Sequence, residues 1–152
     1  METGLLHLHS FLRWIILALL LVAIYRHVTA GNRLFTSTDK KVGLILLICC
    51  DLMLLIGLYQ WFTGPLGLQN IKLLGMKDVM GSGVYRFFAA EHSLGMLIAI
   101  ILVHVGKTFS KKNISDKLKH QRTFIFFFLA LLIIMVSIPW PFREVGMGRG
   151  WF

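Results

Sequence analysis

The chain has 152 residues, of which 57% are hydrophobic and only 15% are charged. Soluble domains are usually about 45–50% apolar and about 25% charged, so the composition excludes an ordinary soluble domain. The formal net charge of +9 would suggest nucleic-acid binding in a soluble protein. Here the basic residues stand between long apolar runs, which is typical of membrane topology and excludes a nucleic-acid partner.

A helix needs about 20 mostly apolar residues to cross the hydrocarbon of a bilayer. Four segments meet this requirement, and in chain order they are residues 5–25, 42–62, 84–106 and 123–140. The last is expected to stop at Pro139 and Pro141. The first lacks the basic leader and cleavage site of a signal peptide, so we expect it to stay as a helix. The sequence therefore predicts an all-α integral membrane protein, a single transmembrane domain folded as an up-and-down four-helix bundle.

The connections between the segments differ in charge. Residues 26–41 carry four Lys or Arg residues and 107–122 carry six, whereas 63–83 carry two. The positive-inside rule then places the first and third connections in the cytoplasm and both termini on the outer, periplasmic side of a bacterial inner membrane. An aromatic belt is expected on that outer side, formed by Trp61, Phe62, Tyr85, Trp140 and Phe142.

Three shorter features complete the organisation. Residues 68–80 are too short to cross the membrane and predict either a short helix on the outer surface or an ordered loop. The tail, residues 141–152, is rich in glycine and aromatic residues and is expected to lack regular structure. The adjacent Cys49 and Cys50 lie in an apolar run and are interpreted as buried thiols.

Ionisable residues at membrane depth are costly, and they usually face the bundle interior and mark function. At about 1.5 Å per residue, five of them could converge in the outer half of the bundle. They are His9, Arg13, Asp51, Glu91 and His92. Four-residue spacing puts His9 and Arg13 on one face, whereas His7 points elsewhere and suits a solvated position at the interface.

The two histidines suggest haem, because bis-histidine ligation needs imidazoles from opposite walls of a bundle. The first and third helices of such a bundle lie on a diagonal, which gives His9 and His92 that geometry. Alternatively, each histidine only hydrogen-bonds backbone near a helix end. A second haem at His27 and His104 is not expected, because His92 and His104 differ by about 120° in helical phase. We read His27 and His104 as interfacial.

Other residues have two interpretations each. Gly95, with Ala89 and Ala99, leaves room beside His92 for a flat cofactor or lets a neighbouring helix approach, and the small residues alone favour packing. Arg13 is expected to pair with Asp51; alternatively, Arg13 or Arg86 holds the haem propionates.

Two further polar groups could serve redox chemistry. Glu91 could hydrogen-bond an imidazole or relay protons. A quinone site could be framed by residues at the mouth of the bundle, although the same residue types populate any membrane interface. These residues are Tyr59, Gln60, Trp61 and Tyr85.

Several motifs carry a resemblance to a known group. They are Leu5-Leu6-His7-Leu8-His9-Ser10 with Leu12-Arg13-Trp14, Leu55-Ile56-Gly57-Leu58-Tyr59, Met76-Lys77-Asp78, Arg86-Phe87 with Glu91-His92, and Ser137-Ile138-Pro139-Trp140-Pro141-Phe142-Arg143 with Gly148-Arg149-Gly150-Trp151-Phe152. Over nearly its whole length the chain resembles the small four-helix membrane proteins of Bacteroidetes labelled "cytochrome B". The resemblance implies a b-type haem, as in cytochrome b561-like proteins, with His9 and His92 as axial ligands. It implies supporting roles for Arg13, Asp51 and Glu91.

The function expected from these features is electron transfer by one haem b held between the first and third helices. Its partners would be the lipid bilayer, a membrane quinone, and a membrane or periplasmic redox protein. One alternative is a quinone-linked or tetrapyrrole oxidoreductase, similar to the HemJ-type protoporphyrinogen oxidases, with Glu91 or Asp51 shuttling protons. The other is a non-catalytic subunit of a larger complex, in which the buried charges hold the helices together.

Overall fold

A computed structural model describes residues 2–148 of the chain. In chain order its helices are α1 (Glu2–Val28), α2 (Ser37–Thr63), α3 (Leu68–Leu74), α4 (Met76–Gly81), α5 (Gly83–Arg86), α6 (His92–Thr108) and α7 (Asp116–Ser137). A π-helical turn, Phe87–Glu91, joins α5 to α6, and a 3-10 turn, Phe109–Lys111, extends α6. Another 3-10 turn, Glu144–Gly146, follows α7. The described residues contain no β-strand.

Four of these helical stretches are long and apolar enough to cross a membrane. They are built on α1, α2, the continuous stretch from α5 through α6, and α7. The outside of the bundle is itself apolar, because Leu55, Ile101 and Val136 are each more than half exposed. Such a surface suits lipid rather than water. The predicted all-α, multi-pass membrane architecture is therefore confirmed.

The four long helices form a ring in which each packs against two neighbours. Helix α1 packs against α2 and α7, and α6 also packs against α2 and α7, so α1 and α6 lie on a diagonal. The core between them includes Leu20, Leu46 and Val103, which are fully buried. A Cβ atom at Gly106 would lie 2.8 Å from the ring of buried Phe127, so this glycine allows α6 and α7 to approach closely.

Two helices begin earlier than the apolar pattern predicts, at residues 37 and 116 rather than at 42 and 123. Before α2, the Thr36 hydroxyl accepts a hydrogen bond from the Asp39 backbone, and the Asp39 carboxylate accepts one from the Thr36 backbone. Before α7, the Ser115 hydroxyl accepts a hydrogen bond from the backbone N–H of Leu118. Such caps satisfy the orphan N–H groups of a first turn, so the helices extend into polar sequence.

The predicted end of the last helix at residue 140 is wrong, since α7 ends at Ser137. Ile138 has φ −74° and ψ 132°, an extended conformation. Proline sterically disfavours the helical conformation in the residue before it, and Pro139 follows. The proline therefore ends the helix earlier than its own position suggests.

The connection between α2 and α5 is ordered and helical. Helices α3 and α4 are separated by Gly75, whose φ of 84° favours glycine. Val79 is fully buried and Asn70 nearly so, which shows that the two helices dock on the bundle. Of the two alternatives for residues 68–80, a short helix or an ordered loop, the structure shows the helix, divided into two pieces.

Candidate functional site

His9 and His92 meet inside the bundle. His9 lies in the early turns of α1, and His92 is the first residue of α6. Their ring centroids are 6.3 Å apart, with 53° between the ring planes. The predicted approach of these two imidazoles is therefore confirmed, whereas their role as metal ligands stays a prediction.

The end of α7 orients the His92 ring. In a continuing α-helix the Ser137 carbonyl would accept from the residue four positions later, but that residue is Pro141, which has no N–H. His92 Nδ1 instead donates to the Ser137 carbonyl oxygen across 2.7 Å. This hydrogen bond places the proton on Nδ1 and the lone pair on Nε2, which is the tautomer that a metal-binding histidine uses.

A π-helical turn immediately precedes His92. The His92 backbone N–H donates to the carbonyl of Phe87, five residues earlier. The rings of Phe87 and Phe88 both lie against the imidazole, with centroids 5.9 and 6.2 Å from it. Trp61 of α2 donates its Nε1–H to the Ala89 carbonyl at 2.9 Å and ties this turn to the bundle. Such turns often occur at functional sites, and apolar periodicity gave no signal for this one.

His9 lies against the backbone of α2. A Cβ atom at Gly57 would lie 3.4 Å from His9 Cε1, so the glycine provides the space for the ring. His9 Nδ1 is buried and has no hydrogen-bond partner among residues 2–148. An unsatisfied buried nitrogen costs free energy, and in a native site it indicates strain or a missing ligand.

Arg13 follows His9 by one turn of α1. Its guanidinium carbon lies 5.2 Å from the ring centroid of Trp14 and 5.9 Å from that of Trp140. The two indoles meet edge to face, with centroids 6.2 Å apart. The aromatic faces attract the guanidinium charge and hold it beside the bundle interior.

Gly95 lies where α6 crosses α7. A Cβ atom at this position would collide with the Ser137 hydroxyl and lie 3.9 Å from Ile133 Cγ2. Helix packing, the interpretation that the small residues alone favoured, therefore explains this glycine.

Asp51 does not join the histidine pair. The expected ion pair between Arg13 and Asp51 is wrong, because Asp51 Oδ1 accepts a hydrogen bond from His104 Nε2 at 2.8 Å. The interfacial position predicted for His104 is wrong as well, since its partner Asp51 is near the middle of α2. The two side chains are 43% and 46% exposed on the outside of the bundle. His92 and His104 do occupy different faces of α6, as their difference in helical phase predicted.

Glu91 lies on the outside of the bundle. Its carboxylate accepts a hydrogen bond from Arg86 Nε at 2.7 Å, and both side chains are nearly half exposed. The predicted contact between Glu91 and an imidazole is not formed among the described residues. Arg86, proposed as a propionate partner, is already engaged by Glu91 and by the Met80 carbonyl at 3.4 Å.

The opposite end of the bundle holds a second histidine pair. We call this the basic end; it comprises the connections 29–36 and 112–115 with the adjoining helix ends. His27 is 5% exposed, and its Nδ1 lies 2.8 Å from Nδ1 of His120, which is 2% exposed. Phe35 stacks on His27 at 5.5 Å. His27 lies in the last turn of α1, as its predicted position at the helix end requires, but packing buries it against His120.

Asp39 anchors the connection before α2. Its side chain is fully buried and forms salt bridges with Arg26 at 2.9 Å and Arg33 at 2.8 Å. The hydrogen bonds to Asp39 raise the pKa of Arg33 above its ordinary value. This cluster was not predicted from the sequence, although the spacing of Thr36 and Asp39 is a capping signal.

The fold and the inward-facing histidines define the class: a multi-pass α-helical membrane protein with one imidazole pair at each end of the bundle. Among residues 2–148, no group of three or more His, Cys, Asp or Glu side chains could hold a metal ion. Comparison with protein-family models, with curated proteins and with solved structures gives no match for the chain. The resemblance to the "cytochrome B" proteins thus stays a prediction based on the quoted motifs.

Proposed function

We propose that this protein transfers electrons in a bacterial inner membrane through one haem b held by His9 and His92. The observation that supports this is the 6.3 Å between the two ring centroids. A metal ion about 2 Å from a nitrogen of each imidazole would separate the ring centroids by about 6 Å. The diagonal placement of α1 and α6 brings the rings from opposite walls, as bis-histidine ligation requires.

The donor set fits such a group. The hydrogen bond from His92 to Ser137 is the outer-shell contact that orients a ligating imidazole. His9 has a buried ring nitrogen without a partner in the described structure. A haem brings its own pyrrole nitrogens, so two protein ligands suffice and no three-ligand cluster is needed. When bound, the haem would supply one-electron redox chemistry.

The chain's own residues would position and enclose the group. Arg13 offers a cation for a carboxylate such as a propionate, and Trp14 and Trp140 fix its direction. Arg86, the other candidate, already forms an ion pair with Glu91. The rings of Phe87 and Phe88 shield the His92 side of the site from water.

The orientation and the partners belong to the same proposal. The basic end carries most of the Lys and Arg residues and would face the cytoplasm, which would put the His9–His92 pair near the periplasmic surface. Electrons would then pass between a membrane quinol and a membrane or periplasmic redox protein.

The test is the visible absorption spectrum of protein purified from haem-replete cells, compared among three variants. We expect His9→Ala and His92→Ala to lose the Soret and α bands. His7→Ala is the matched control, because His7 is exposed on the same helix, and it should keep them. Bands that survive in His9→Ala but vanish in His7→Ala would show that the ligand is misassigned. A colourless wild-type protein would contradict the proposal.

The Asp51–His104 pair favours a second function, a quinone-linked oxidoreductase. Ionisable groups at membrane depth usually face the bundle interior, yet this pair is half exposed toward lipid. The carboxylate and the imidazole could hydrogen-bond a quinol and accept its two protons, while its two electrons would pass one at a time to the proposed haem. This function predicts that Asp51→Asn retains the haem but lowers the rate at which a quinol reduces it. Glu91→Gln, whose carboxylate is paired with Arg86, should have no effect; unchanged turnover in Asp51→Asn would exclude this role.

A further inference from the structure

A basic cleft opens at the basic end of the bundle, between α2, α6 and α7. It encloses a volume of about 630 Å³. Six lysines line it: Lys40, Lys41, Lys107, Lys111, Lys112 and Lys119. The cleft is separate from both histidine pairs, and it would bind its ligand whether or not the protein holds haem.

The positive charge of this cleft is largely unneutralised. Lys119 donates to Asp116 at 3.0 Å. Within residues 2–148, none of the remaining lysines of the cleft forms an ion pair. Like charges gathered in one concave surface repel each other and create a positive potential that attracts anions.

One of these lysines is held in place by packing. Lys107 is half-buried, and its Cδ atom would lie 3.1 Å from a Cβ at Gly43 of α2. The stem of Lys107 therefore runs along the α2 backbone, while its Nζ donates to the Ser110 hydroxyl at 3.2 Å. Its ammonium group is thus fixed at the cleft rather than free to move in solvent.

The surroundings distinguish a lipid from a free anion. Leu44 lines the cleft and begins an exposed apolar stripe on α2 that runs away from the basic end. Four-residue and three-residue spacings put Leu44, Ile48, Leu52 and Leu55 on one helix face. The half-exposed Asp51, hydrogen-bonded to His104, lies at the edge of this stripe. A free phosphate has no apolar part to bury against this stripe, whereas an acyl chain would lie along it.

We propose that the lysine cleft binds the phosphate headgroup of an anionic phospholipid, with an acyl chain along the Leu44–Leu55 face of α2. Basic pockets between transmembrane helices recognise anionic headgroups in this way. The stripe belongs to a helix long and apolar enough to span a membrane, and the cleft lies where three such helices end, which is where headgroups would be found.

The test measures the affinity of purified protein in neutral detergent for phosphatidylglycerol, with phosphatidylcholine and inorganic phosphate as comparison ligands. The variant Lys40→Gln/Lys111→Gln removes two exposed lysines of the cleft. Its matched control, Lys72→Gln/Lys77→Gln, removes two exposed lysines from α3 and α4 at the other end. Each basic residue near an anionic surface contributes about fivefold in affinity, so removing two should make the cleft variant bind phosphatidylglycerol about 25-fold more weakly.

The control variant should bind phosphatidylglycerol as the wild type does. Equal losses of affinity for phosphatidylglycerol in the two variants would show that only the net charge matters and would overturn the proposed binding site. Binding of phosphatidylcholine as tight as that of phosphatidylglycerol would overturn the recognition of the headgroup. Inorganic phosphate that binds as tightly as the lipid would overturn the lipid as the ligand. Thermal unfolding without lipid checks that both variants are folded.

Discussion

The substitution Asp39→Asn tests what holds the basic end together. The carboxylate accepts hydrogen bonds from Arg26 Nε at 2.9 Å and from both terminal nitrogens of Arg33 at 2.8 and 3.1 Å. It also accepts from the Thr36 backbone N–H and hydroxyl, each at 2.8 Å. Asparagine keeps the volume but replaces one acceptor oxygen with an NH₂ group that faces these donors.

The magnitude follows from burial. Removing one partner of a buried ion pair typically costs about 3–5 kcal/mol, because the remaining charge is left uncompensated. Asp39 is fully buried, but the side chains of Arg26 and Arg33 are 29% and 36% exposed. Water can therefore solvate the two guanidinium groups and offset part of the interaction that they lose. We expect Asp39→Asn to lower the free energy of unfolding by about 3 kcal/mol, at the lower end of that range.

The assay is reversible unfolding of the purified protein in mixed detergent–SDS micelles. Asp78→Asn is the control, because Asp78 is exposed on α4 and forms no salt bridge among the described residues. Its effect should stay within about 0.5 kcal/mol. An Asp39→Asn protein that unfolds within 1 kcal/mol of wild type would refute the idea that this cluster stabilises the fold by about 3 kcal/mol.

Two further predictions use the same unfolding assay. His120→Phe should cost about 1–3 kcal/mol because it leaves a buried His27 nitrogen without its partner, whereas the double substitution His27→Phe/His120→Phe should recover much of that loss. If the costs of the two single substitutions, His27→Phe and His120→Phe, simply add in the double variant, the imidazoles do not interact. Gly95→Val should cost about 1–3 kcal/mol because the side chain forces α6 away from Ser137, whereas Gly83→Val, whose Cβ meets open space, should cost less. Equal effects at the two glycines would contradict close packing at Gly95.

The membrane spans could be predicted from the sequence because length and apolar composition alone determine them. The bounds of the helices could not be predicted in this way, because an apolar window ends where the polar residues that cap a helix begin. Thr36 and Ser115 extend two helices into charged sequence, and Pro139 shortens the last. These local effects come from hydrogen bonding and sterics rather than from hydropathy.

The histidine pair was predictable because two simple quantities, depth and bundle topology, bring His9 and His92 together. The partner of Asp51 was not predictable, because the depth of a residue in the membrane does not determine how its helix is rotated about its axis. Packing turned Asp51 and His104 outward together. His120 lies in a polar stretch at the start of α7, and its burial beside His27 follows from the early start of that helix.

The reduced-minus-oxidised absorption spectrum of the wild-type protein shows whether the chain binds haem. If His9 and His92 hold a haem, protein purified from haem-replete cells should show sharp α and Soret bands in this difference spectrum, with about one haem per chain. A flat difference spectrum from protein that is folded in the unfolding assay would contradict the account.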